Sequence, residues 1–189
     1  PFIVLTPFSR EVSRRLANED FSGVDYVFSW LGNVDLLLAI IKLMEDKMNS
    51  DNDILEVGIQ PILLVEDSVR FYSSVLPHLY KFLLKQSLIF STEALNEHEQ
   101  MLRMRGRPKV ILARTYEEAM TLYNKYKNEI LGVITDVSFS RDGEKDKHAG
   151  IRLAKEIKEI DPYVPIIMES SETENAVYAK EMGISFLDK

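Results

Sequence analysis

Five polar residues stand at or near the ends of short apolar runs. Glu66 and Asp67 follow Pro61-Ile62-Leu63-Leu64-Val65, and Asp136 follows Leu131-Gly132-Val133-Ile134-Thr135. Ser170 comes after Val164-Pro165-Ile166-Ile167-Met168-Glu169, and Lys189 after Ile184-Ser185-Phe186-Leu187-Asp188. Three carboxylates converging on one point repel one another and raise each other's pKa. A hard divalent cation removes that conflict, and Mg²⁺ suits a site of few carboxylates, waters and a phosphoryl oxygen. A hydroxyl and an ammonium aimed at the same point complete a clamp for a tetrahedral oxyanion. The constellation suits phosphoryl transfer to a carboxylate, with Asp136 as nucleophile.

The elements that must position these groups alternate between two periods. Apolar runs at 61–65, 110–113, 131–135, 164–168 and 184–187 read as buried strands. Helical patterns lie between them: one after Ser68 with Phe71, Val75, Leu79, Phe82 and Leu83 inward and Pro77 as a kink or break, a polar extra helix at 91–105, then 116–126, one carrying Ile151, Leu153, Ala154 and Ile157, and 173–182. Such βα units predict an α/β fold, a doubly wound parallel five-stranded sheet with helices on both faces. Function in these sheets gathers at the carboxyl ends of the strands.

Upstream, residues 2–5 and 24–28 read as strands, with a helix at 9–18 between them. Asn33 caps a helix to Met48 that is apolar on two faces, with Val34, Leu37, Leu38, Ile41 and Met48 on one stripe and Leu36, Ile40 and Leu43 on another. The polar stretch Asn49-Ser50-Asp51-Asn52-Asp53 reads as a linker.

Composition narrows the field. With 189 residues, 46% apolar, the chain can bury a core in one domain and a fragment, or in two small domains. Its net charge of −7 argues against nucleic acid as the main partner. No cysteine is present, which excludes disulfides and thiolate chemistry and fits a reducing, cytoplasmic compartment. The run Leu36–Ile41 falls far short of the roughly 20 residues of a membrane span, so no membrane partner is expected. His78, His98 and His148 share no metal-ligand spacing, and glycine-rich phosphate loops are absent. Arg103, Arg105, Arg107 and Lys109 read as a solvated helix end and loop, and 141–147 as a mobile loop.

The ordered set Leu63-Leu64-Val65-Glu66-Asp67, Val133-Ile134-Thr135-Asp136, Val164-Pro165 through Ser170, and Phe186-Leu187-Asp188-Lys189 resembles a response-regulator receiver domain, the flavodoxin-like fold of the chemotaxis protein CheY. The resemblance covers residues 59–189 and implies a receiver without its last helix, after a linker at 51–58. It implies that Glu66, Asp67, Asp136 and the Ser138 backbone carbonyl hold Mg²⁺, that Asp136 is the phosphoacceptor, and that Ser170 and Lys189 bind phosphoryl oxygens. Phe186 would be the aromatic switch. Implied partners are a histidine kinase or small phosphodonor, and a protein output partner or downstream domain. Catalysis would be confined to the domain's own phosphorylation and hydrolysis. The long loop after Asp136 lacks the family's usual Met-Pro turn, and the Ser170–Lys189 stretch is short.

Residues 1–50 resemble the C-terminal half of a degenerate receiver, with Ser29 or Trp30 where the lysine should stand. The helix at 33–48 then offers a surface for a homodimer. Two other readings remain: a receiver-like interaction module that is never phosphorylated, and the N-terminal regulatory receiver of a phosphoenolpyruvate-synthase-like enzyme, to which the excerpt is similar in general likeness only.

Overall fold

The computed structural model describes residues 2–7, 23–30, 32–92, 96 and 106–189. These divide into two compact units: residues 1–45 with 68–106, and residues 46–67 with 107–189. The units thus cut the chain at different places from the sequence-based division into 1–50, 51–58 and 59–189.

In the first unit, β1 (Ile3–Pro7) and β2 (Tyr26–Trp30) pair in parallel, Thr6 opposite Ser29 and Pro7 opposite Trp30. The helix expected at 9–18 lies outside the described residues. Helix α1 (Asp35–Ser50) starts where Asn33 Oδ1 accepts the Asp35 N–H at 2.9 Å. Helix α2 (Val69–Thr92) runs through Pro77 without interruption, so the expected break is absent. Its buried face is Tyr72, Leu76, Tyr80 and Leu83: Leu83 is inward as expected, but Tyr72, Leu76 and Tyr80 are each one residue past the expected Phe71, Val75 and Leu79, which are half-buried, and Phe82 is exposed. The cause is β2, which offers that face its partners. Tyr72 donates its hydroxyl to the Val27 carbonyl and packs edge-on against Phe28, and Ser73 Oγ accepts the Ser29 N–H at 2.9 Å. Most of the extra helix expected at 91–105 lies outside the described residues, and α2 itself occupies 91 and 92.

The second unit opens within α1. The stretch expected to be a linker is helical: α1 continues to Ser50 and a π-helical turn follows over Asp51–Glu56. Then come β3 (Pro61–Val65), β4 (Lys109–Ala113), α3 (Tyr116–Tyr126), β5 (Gly132–Asp136), β6 (Phe139–Arg141), β7 (Glu144–Asp146), α4 (Ala149–Ile160), β8 (Ile166–Ser170), a 3₁₀ turn at Thr173–Asn175, α5 (Ala176–Glu181) and β9 (Ser185–Asp188). The strands β4-β3-β5-β8-β9 form one all-parallel sheet in that order. Counted along the chain this is the order two, one, three, four, five of flavodoxin-like folds. The fold is therefore α/β with a five-stranded parallel sheet, as the βα alternation predicts.

Why these strands are continuous apolar runs is plain from their burial. β4 is buried at every position, and Leu63, Val65, Val133, Ile166 and Met168 share a core with α3, α4 and α5 through Ala119, Tyr123, Leu153, Ile157 and Ala179. Thr115 caps α3, accepting the Glu118 N–H at 3.2 Å, as a threonine ahead of a helix does. Two expectations fail nearby. Residues 139–146 form an antiparallel hairpin rather than a mobile loop. Its two-residue turn, Asp142-Gly143, has φ of 51° and 80°, a geometry an Asp-Gly pair favours. Arg107 and Lys109 are buried, because Asp46 accepts from both terminal nitrogens of the Arg107 guanidinium (3.0 and 2.7 Å) and Asp53 meets Lys109 at 2.7 Å.

Candidate functional site

Sheet order brings the acids together. β3 lies between β4 and β5, so the residues that follow β3 meet the last residue of β5 where chain connections diverge to either side. Ligand oxygens of Glu66, Asp67 and Asp136 all lie within 4.8 Å of one another. Glu66 is buried, while Asp67 and Asp136 are part-exposed.

Lys189 reaches the same point from the end of β9. Its ammonium donates to Glu66 Oε2 and, at 2.9 Å, to Asp136 Oδ1. Its backbone N–H bonds the Ser170 carbonyl at 3.1 Å, which fixes the approach of the side chain. Burial by itself pushes the Lys189 pKa down, yet the paired Glu66 and Asp136 carboxylates outweigh it, so the net shift is upward and the ammonium stays charged.

The backbone around Asp136 is held closely. The Ser138 N–H donates to Asp136 Oδ2 at 3.3 Å, and the Thr135 hydroxyl to the Asp136 carbonyl at 2.8 Å. Gly150 packs against that carbonyl at the start of α4, and a Cβ there would stand 1.9 Å from the Asp136 oxygen. Of the expected site residues, the structure gathers Glu66, Asp67, Asp136 and Lys189. Ser170 sits at the same sheet edge, its Oγ accepting from the Glu172 N–H (3.0 Å) and Asn175 Nδ2 (2.9 Å). Phe186 is half-buried against the core.

Three neighbours carry no plain mark in the sequence. Glu169 lies opposite Asp136 in the sheet and is buried; burial raises its pKa, the nearby Lys189 opposes that, and Asp136 adds to it. Gly150 gives no signal beyond its size. Lys145, on β7, donates to both Asp67 oxygens at 2.9 and 2.7 Å. The Asp-Gly turn followed by a short strand is the one signal that could have placed Lys145 on a hairpin.

The fit to a divalent cation is good in donor type: three carboxylates, two of them part-exposed, and no soft ligand. Among the described residues no helix is long and apolar enough to cross a membrane.

No protein-family model matches the chain, and no curated protein matches it either. Among solved structures, the chain is similar to a response regulator receiver domain protein of Clostridium thermocellum, at 22% identity and a TM-score of 0.45 over 69% of this chain and 82% of that one. It is similar to the chemotaxis protein CheY4 of Vibrio cholerae, at 19% identity and a TM-score of 0.44 over 70% of this chain and 88% of that one. A third likeness is to the CheX–CheY complex of Borrelia burgdorferi, solved with BeF3 and Mg²⁺, at 24% identity and a TM-score of 0.42 over 71% of this chain and 82% of that one. The likeness to phosphoenolpyruvate-synthase-like proteins finds no support in these comparisons.

Proposed function

We propose that the second unit is a receiver module that takes a phosphoryl group on Asp136 in a Mg²⁺-dependent reaction and passes on a change of surface. The observation that carries this is the convergence of three carboxylates and one ammonium at the carboxyl ends of neighbouring parallel strands. An Asp136 oxygen attacks phosphorus, the bond from phosphorus to the donor breaks with its electron pair leaving on the donor, and an aspartyl phosphate remains. Glu66, Asp67, Asp136 and the Ser138 carbonyl would hold Mg²⁺, which when bound neutralises charge on the transferring group.

The chain's own residues do the rest. Lys189, kept charged by its partners, moves from the Asp136 carboxylate to a phosphoryl oxygen. Ser170 Oγ accepts two hydrogen bonds and so retains its own proton to donate to a second phosphoryl oxygen. Drawing Ser170 inward leaves room for Phe186, and that repacking reaches the surface around β9. The donor is a histidine kinase or a small phosphodonor; the readout is a protein partner or a further domain.

The reading of residues 1–50 as the second half of a degenerate receiver has no support from the comparisons and rests on strand register alone. β1 and β2 pair Thr6 with Ser29 as β8 and β9 pair Ser170 with Asp188, which leaves Trp30 at the place of Lys189. Val34, just before α1, and the exposed α1 residues Leu37, Ile41 and Met48 would be the face of a homodimer.

Incubation with Mg²⁺ and acetyl phosphate should add one phosphoryl group by intact mass, and Asp136→Asn or EDTA should each abolish it. An unmodified wild-type chain beside a labelled control receiver leaves the interaction-module reading in its place.

A further inference from the structure

The β6–β7 hairpin brings a second ammonium to the acid cluster. Lys145 binds Asp67 through both carboxylate oxygens, at 2.9 and 2.7 Å, while Lys189 serves Glu66 and Asp136. Each acid of the cluster therefore has an internal cation, and only one negative charge of the three is left over for an ion from solution.

The position of Lys145 is built, not incidental. Phe139 anchors β6 in the core, and Ser140 bridges to Thr115. The Arg141 guanidinium stacks 4.9 Å from the Tyr116 ring centre, and the Asp142 N–H donates to Glu117 Oε1 at 2.8 Å. After the tight turn, β7 runs back beside β6 and Lys145 falls opposite Ser140. The side chains of Lys145 and Asp67 are 55% and 22% exposed, so the ammonium can withdraw into water while the hairpin stays docked.

We infer that Lys145 is a tethered counter-ion that competes with a divalent cation for Asp67, so that the hairpin sets the metal affinity of the site. The inference rests on the receiver reading above. An exposed pair is worth little in water, so the competition is modest: its loss should tighten Mg²⁺ binding about fivefold. The pairing also selects for hard cations that gain enough from three carboxylates to displace an amine.

Calorimetric titration of the whole chain with MgCl2 tests this. Lys145→Met and Lys145→Gln should bind Mg²⁺ about fivefold more tightly than wild type. Lys145→Arg, which keeps the charge, should stay close to wild type. Lys147→Met removes a charge just past the hairpin without touching the Asp67 pair and should change affinity less. Equal affinities for wild type and both neutral variants overturn the inference and leave the receiver reading standing, as does an equal gain in Lys147→Met. Absence of binding in every variant, Lys145→Met included, overturns the receiver reading and the inference with it.

Discussion

Glu169 is a carboxyl group in an unfavourable place, buried and facing Asp136 across the strand pair. Its pKa is raised above 4.5, foremost by burial, so its charged form costs stability that its neutral form does not. For a group raised in the folded state, the stabilising contribution is whole below the unfolded value and is lost as pH climbs through the folded one. We therefore expect Glu169→Gln to raise the urea midpoint at neutral pH, with the gain vanishing on acidification below 4.5. A gain independent of pH would mean that shape, not charge, is responsible. At Gly150 the constraint is steric. The added methyl group of Gly150→Ala meets the Asp136 carbonyl at 1.9 Å and forces α4 away from β5, at about 3 kcal/mol in urea unfolding. The same substitution should slow labelling of Asp136 by acetyl phosphate, because the carbonyl it displaces belongs to the proposed phosphoacceptor. Glu66, Asp67, Asp136 and Lys189 are legible in the chain itself because each ends a recognisable strand. Glu169 and Gly150 are not, since the features that matter at both are neighbours brought in by other strands and helices.

Among the elements, the buried ion network at the start of β4 depends most on its surroundings. Asp46 accepts from Arg107 at 3.0 and 2.7 Å and from the Val110 N–H at 2.9 Å, and its side chain is 1% exposed. Asp46→Ala leaves the Arg107 charge buried without its partner, and we expect a loss of about 3–5 kcal/mol in chemical denaturation. Replacing Asp46 and Arg107 together by apolar residues should cost less than Asp46→Ala alone, the mark of a buried pair rather than of two independent contacts. The basic run at 103–109 reads as solvated because an arginine near a strand start carries no local sign of the helix that will cover it. Helix α2 makes the same point in another form. Its residues are apolar on two neighbouring stripes, so periodicity identifies the helix but leaves its phase open; β2 selects Tyr72, Leu76 and Tyr80 over Phe71, Val75 and Leu79. The hairpin at 139–146 is signalled by Asp142-Gly143, yet a mixed-charge loop masks so short a strand pair.

Among the described residues, α1 and the residue before it carry an exposed apolar face, with Val34, Ile41 and Met48 at 70%, 62% and 71% exposure. If this face joins two copies, Leu37→Glu with Ile41→Glu should weaken self-association at least about tenfold in sedimentation velocity and leave acetyl phosphate labelling intact. The five sheet strands, the helices between them and the acid-ended strands are readable in one dimension, because hydrophobic period and strand ends are local properties of the sequence; the helical turn at 51–56 and the hairpin at 139–146, whose residues are mostly polar, are not. Pairings between distant residues are not. Lys189 lies 123 positions from Glu66, and Lys145 lies 78 from Asp67. The approach of Lys189 to the acids is implied by its place after the last apolar run, but which carboxylate oxygens it takes is not; the Lys145 contact follows from the twist of one tight turn and leaves no trace in the spacing of charged residues. Which ammonium neutralises which acid, and hence how much charge is left for a metal ion, is a property of the folded sheet alone.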